Sequence, residues 1–114
     1  MAAYALAHLY EISSHPEVLE YIERIQSTMD PYGGRFIVHG AVPEVAEGEW
    51  PGTVVIIEFP DVEQARGWYW SPAYQEILHL RTDHVPGAAI LVDGVGPDYD
   101  AAATAAKRRA ATRA

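Results

Sequence analysis

Period-two and helical stretches alternate along this chain in a definite order. Between Tyr4 and Ile12 the large side chains fall at Tyr4, Leu6, His8, Tyr10 and Ile12, with small ones at Ala5 and Ala7. This predicts a strand covered on both faces. Pro16 suits a first helical position, and Glu17 and Glu20 complement the helix dipole, so a helix opens here with Val18, Ile22, Ile25 and Met29 as its apolar stripe. Asp30-Pro31-Tyr32-Gly33-Gly34 stops it. Arg35 to Gly40 predicts a second strand, with an irregular or bulged extension from Ala41 to Gly48. After the turn at Trp50-Pro51-Gly52, the β-branched run from Thr53 to Phe59 predicts a central strand. Pro60-Asp61 opens a second helix in which Val62, Ala65, Trp68 and Tyr69 share a face; Ser71-Pro72 breaks it, and a further helical segment with Tyr74, Ile77, Leu78 and Leu80 runs to Arg81. Val85-Pro86-Gly87 turns into the last strand, Ala88 to Asp93. The order βαββαβ is the ferredoxin-like arrangement: an α+β fold with a four-stranded antiparallel sheet and its helices on one face.

Trp68, Tyr69 and Trp70 are adjacent, and neighbouring helical positions point about 100° apart. Three such rings do not fit one face. At least one needs a second surface, either a partner subunit or a pocket.

The chain's 114 residues, 49% of them hydrophobic, suffice for one core and are too few for two. Residues 1–94 are expected to form that domain, with four basic residues against fourteen acids, a balance of −10. Residues 95–114, Ala-rich and net +2, form a tail that is either a frayed helix or disordered. So acidic a body repels phosphate backbones and argues against nucleic-acid binding. No stretch approaches the ~18 apolar residues of a membrane span, and the start of the chain lacks a basic region followed by an apolar run, so a soluble, cytoplasmic protein is expected. Cysteine is absent, which leaves His, Glu, Asp, Tyr and Arg as the chemistry-bearing residues.

Several short motifs in order carry a resemblance: Tyr32-Gly33-Gly34-Arg35-Phe36, Glu47-Gly48-Glu49-Trp50-Pro51, Glu58-Phe59-Pro60, and Ala65 to Tyr69 with Ser71-Pro72 and Tyr74. Over about residues 4 to 94 the chain resembles the bacterial domain-of-unknown-function 1330 family. The resemblance implies a ferredoxin-like subunit that pairs with a second copy into a dimeric α/β barrel. It also implies a superfamily that includes cofactor-independent monooxygenases, lactone isomerases, dehydratases and haem-handling enzymes. His39 and Thr53 stand where family members often carry arginine, which implies a less acidic ligand here.

Strand alternation places the candidate chemistry. With Ala5 and Ala7 toward the helices, allowing them to approach the sheet closely, Tyr4, Leu6, His8 and Tyr10 take the other face. An unpaired buried carboxylate is costly, so Glu58 joins them, and putting Phe36 and Val38 toward the helices brings Arg35, Ile37 and His39 to the same face. In a dimer this face would line an enclosed cavity. His8, His39 and Glu58 then form an acid–base cluster with Tyr10 and Arg35, walled by Trp50, Trp68 and Tyr69. The competing expectations are structural: a Glu58–Arg35 ion pair, an interface histidine at His8, and packing roles for Trp68 and Tyr69. Arg81 is either an anion anchor in a pocket or a cap for the helix end.

No metal site is expected, since no histidine makes a His-x-x-x-His or Glu-x-x-His pairing; His79 and His84, with Asp83 between, amount to a surface hint. No phosphate loop or nucleophile elbow appears, so no cofactor is expected. Two function classes remain: a homodimer joined through its sheet face that binds an apolar or aromatic small molecule between sheet and helices, or a cofactor-independent isomerase, cyclase, dehydratase or monooxygenase using the His/Glu cluster.

Overall fold

The computed structural model describes residues 1–113; Ala114, the end of the expected tail, lies outside them. The elements are β1 (Ala3–Leu9), α1 (Pro16–Met29), a 3-10 turn (Asp30–Tyr32), β2 (Arg35–Ala41), β3 (Thr53–Phe59), α2 (Val62–Tyr69), α3 (Pro72–Thr82), β4 (Gly87–Asp93) and α4 (Ala101–Arg113). The sheet is antiparallel in the order β2-β3-β1-β4, so the expected α+β ferredoxin-like topology is present.

Local chemistry sets the ends of these elements. Asp61 Oδ1 accepts the Gln64 N–H at 2.8 Å and caps α2. Ser71 does two jobs at the break between α2 and α3: its Oγ donates to the Trp68 carbonyl at 2.7 Å and accepts the Tyr74 N–H at 3.2 Å. Gly34 is required by packing, because a Cβ there would run into the Phe59 ring. Phe59 and Met29, which also borders that glycine, are among the most deeply buried side chains.

The core lies between the helices and one face of the sheet, with Ala3, Ala5, Ile57 and Phe59 beneath Ile25, Met29, Ala65, Trp68, Tyr74 and Ile77. Two expectations change here. The buried stripe of α1 is Val18, Tyr21, Ile25, Thr28 and Met29, while Ile22 is 43% exposed, so the helix is rolled to bring a tyrosine inward. β1 stops at Leu9, and Ile12 lies in the loop, well exposed.

The other sheet face carries Tyr4, Leu6 and His8 opposite Glu58, Ile56 and Val54 on one side and Val92, Ile90 and Ala88 on the other. It is largely apolar and partly open, with Ile90 at 52% and Val92 at 38% exposure. The tail is a helix, α4, with an almost wholly exposed surface. Among the described residues no helix is long and apolar enough to cross a membrane.

Candidate functional site

A cavity of about 430 Å³ lies between the sheet and the helices. Its floor is set by small residues: Ala7 stands between Val55 on β3 and Ala89 on β4, and Ala5 between Ile57 and Leu91. Ala5 is buried within the core, and the side-chain volume that these alanines lack contributes to the space above them. Tyr21 and Ile25 form one wall, Trp68 and Tyr69 another, and Tyr74 and Arg81 of α3 a third. Trp70, 70% exposed, lies at the border, so the ring triplet divides among core, cavity wall and solvent.

Glu11, Ser13, His39 and Thr53 contribute polar lining to this cavity, and Tyr21, Tyr74 and Arg81 form its buried polar cluster. The Tyr21 and Tyr74 hydroxyls share a hydrogen bond at 2.7 Å. The Arg81 guanidinium carbon stands 5.7 Å from the Tyr21 ring centroid, within cation–π range. Arg81 is only 8% exposed, and among the described residues no carboxylate pairs with it. Burial works against its charge, but the Tyr21 and Tyr74 oxygens more than offset this and hold its pKa above the ordinary value. Burial, followed by the neighbouring Tyr21, pushes the Tyr74 phenol far above its usual range, so it stays a neutral donor. The Trp68 indole N–H is already committed, donating to Thr28 Oγ1 at 2.9 Å, and offers a ligand only its ring.

The expected His8, His39 and Glu58 cluster does not assemble within the protomer. The first of two register shifts in β2, between Phe36 and Val38, is responsible: Phe36 pairs with Ile57, Val38 with Ile56 and His39 with Val55. This bulge flips the alternation, so Val38 takes the open face and His39 joins Phe36 on the helix face, their rings stacked at 4.0 Å. His39 lines the cavity at an exposed position, and partial desolvation lowers its pKa. His8 and Glu58 do share the open face, but they lie opposite Val54 and Tyr4, four residues or about 13 Å apart along the strands.

Each of the remaining open-face candidates has a local partner. Arg35 Nε and Nη2 both donate to Glu58 Oε1, at 3.0 and 2.7 Å. His8 Nε2–H donates to the Pro51 carbonyl at 2.6 Å, its ring stacked on Trp50 at 3.9 Å and met edge-on by Tyr10 at 4.7 Å. Trp50 and Tyr10 thus belong to the His8 assembly, away from the cavity. Trp68, Tyr69 and Arg81 are the candidates that line the cavity with His39. Tyr21 was missed, and its signal was present: counting it in place of Ile22 keeps the three- and four-residue spacing between Val18 and Ile25.

The sequence profile of the domain of unknown function DUF1330 matches residues 2–95. The chain belongs to the DUF1330 family. Comparison with curated proteins gives no match. Among solved structures, this DUF1330 chain is similar to a protein of unknown function from Rhodopseudomonas palustris, with 18% identity, TM-score 0.63 and coverage of 84% of each chain. It is also similar to a dabb family protein with a ferredoxin-like fold from Mesorhizobium loti, at 11% identity and TM-score 0.56, covering 83% of this chain and 98% of that one. A cofactor-independent oxygenase from Streptomyces nogalater aligns at 11% identity and TM-score 0.52, over 87% of this chain and 96% of that one. At these identities the likeness concerns the fold.

Proposed function

We propose that this DUF1330 protein is a cytoplasmic homodimer whose domain, residues 1–94, binds a planar, mostly apolar small molecule with one anionic or enolic oxygen in the cavity between sheet and helices. The carrying observation is Arg81, a nearly buried cation that opens on an aromatic-walled cavity and, among the described residues, makes no ion pair with a carboxylate. A buried charge without a counter-charge is costly, and a ligand oxygen supplies one. The Tyr21–Tyr74 hydroxyl pair keeps one O–H proton for the same oxygen, the other being used between them, and the indole and phenol rings suit a flat ligand. The lone guanidinium fits a ligand of modest acidity. Pairing of two copies through the open sheet face is supported by the apolar, partly exposed Leu6, Ile56, Ile90 and Val92.

A suitable probe pair is the anionic 8-anilinonaphthalene-1-sulfonate and the neutral N-phenyl-1-naphthylamine, both followed by fluorescence. Saturable binding of both to the wild type, with at least a tenfold loss for the sulfonate alone in Arg81→Met, is expected, since charge-assisted hydrogen bonds contribute about 1.5–3 kcal/mol. Equal sulfonate affinity in the two proteins would remove Arg81 from the reading.

A second reading is catalytic. A hydrogen-bonded pair of phenols beside a guanidinium is suited to stabilising an enolate as it forms, the electrostatic assistance that a cofactor-independent oxygenase, isomerase, cyclase or dehydratase needs. It relies on Tyr21, Tyr74 and Arg81, with His39 at the border, in place of a His8/Glu58 pair. Turnover of an enolisable polycyclic arene in air, lost in Tyr74→Phe, would favour it over simple binding.

A further inference from the structure

A second group of side chains meets at the junction of the first turn of α1 with the turn between α3 and β4. His15 caps α1, its Nδ1 accepting the Glu17 N–H at 3.1 Å while Ser13 Oγ accepts the His15 N–H at 3.1 Å. His84 is fixed by its backbone N–H, which donates to the Arg81 carbonyl at 3.0 Å. The two imidazoles are stacked, centroids 3.6 Å apart and planes 18° apart, and His84 Nε2–H donates to Glu17 Oε1 at 2.6 Å. One ligand atom from each of His15, Glu17 and His84 lies within 4.8 Å of the other two. The hydrogen bond from His84 holds the Glu17 carboxyl below its ordinary range, so it is ionised at neutral pH.

We propose that His15, Glu17 and His84 form a binding site for a divalent first-row transition ion, with Zn2+ as the best fit and water completing the coordination. Two imidazole nitrogens and one carboxylate oxygen suit zinc, whereas calcium and magnesium favour oxygen alone. Tetrahedral bonds of about 2.1 Å place ligand atoms about 3.4 Å apart, so closing on an ion draws the three groups together and turns at least one imidazole out of the stack until its lone pair faces the ion, a rearrangement open to side chains that border solvent. In doing so the ion takes the place of the proton that His84 Nε2 directs at Glu17, which passes to Nδ1 of the same ring or to water, and the carboxylate offsets the charge at the start of α1. No helical His-x-x-x-His spacing signals this site, because its donors come from segments 67 residues apart in sequence. It is independent of the ligand cavity, although the ion would tie together the two helices that carry Tyr21 and Arg81.

The test is a titration of the full, untagged chain with ZnCl2 by calorimetry, repeated with Co2+ to read tetrahedral coordination from its visible absorption. His15→Asn retains a side-chain cap and His84→Gln retains a donor to Glu17, so both variants keep the local packing. The wild type is expected to bind one Zn2+ per chain and to melt higher in its presence, and each variant to lose at least about tenfold in affinity. Absence of zinc binding by the wild type at about 100 µM, near the concentration where a useful site would saturate, would overturn the proposal. So would binding that both variants retain in full.

Discussion

The hydroxyls of Tyr21 on α1 and Tyr74 on α3 meet at 2.7 Å in the interior, with their ring centroids 6.1 Å apart. This contact joins the two helices beside the cavity that both tyrosines line together with Arg81. Removing one hydroxyl leaves the other short of a partner in a desolvated place. Tyr21→Phe and Tyr74→Phe are each expected to lower stability by about 1 kcal/mol, and the double variant by less than the sum of the two. Urea denaturation of the four proteins measures the coupling, and strict additivity would mean that the contact contributes nothing in solution.

The alanine floor separates space from stability. Ala7→Leu puts a branched side chain into the cavity without crowding a close-packed core. It should leave the melting temperature unchanged or slightly raised while abolishing binding of both naphthalene probes. Probe binding that survives the substitution would place the probes outside the cavity, on another apolar surface.

His39 provides a pH test. Desolvation favours its neutral form, so its folded pKa lies below its ordinary value of 6.5. With the folded pKa depressed, the associated stability is fully present above pH 6.5 and is lost as pH falls through the folded pKa. An NMR titration of the five imidazoles should show the His39 midpoint below 6.5, and His39→Gln should flatten this part of the stability profile. A midpoint at or above 6.5 would contradict the burial argument.

How far the sequence carried the fold and the site depended on which physical signal each residue sends. Alternation, proline positions and β-branched runs located every strand and helix of the domain, because those signals are local. His39 was misplaced because the bulge at Ile37 leaves no local mark, unlike the later shift at Gly40 with its φ of +76°; only the pairing of His39 with Val55 reveals the flip. The Arg35–Glu58 pair was legible as one of two alternatives, because a carboxylate and a guanidinium at opposed strand positions have few other options. The cavity was not legible in detail, since small floor residues predict close approach and empty space equally well until the roof is known. The His15–Glu17–His84 group depends on a tertiary contact that no spacing rule encodes.

Gly52 shows how the loop before β3 is held against β1. Its φ is +90°, and a Cβ at this position would collide with the Leu9 carbonyl. Gly52→Ala therefore meets both backbone strain and a clash and is expected to destabilise by about 2 kcal/mol or more. Loss of the turn would also release His8 from the Pro51 carbonyl and from Trp50. The measurement is a urea melt together with His8 ring chemical shifts, and an unchanged midpoint with unchanged shifts would mean that this loop is less constrained than its geometry indicates.

The open sheet face yields the last prediction. Leu6, Ile56 and Ile90 form a cross-strand row in its centre, with Ile90 half exposed in the protomer. A face of this kind left in water favours uncontrolled association, and a second copy laid across it removes the exposed surface in a closed, symmetric way. Light scattering should give a mass of two chains at micromolar concentration, with about 1,200 Å² or more buried in total. Ile90→Asp places a carboxylate in the middle of that contact and should shift the mass toward one chain. A wild type that runs as one chain would leave the apolar row without the partner proposed for it, and a dimer indifferent to Ile90→Asp would move the contact to a different surface.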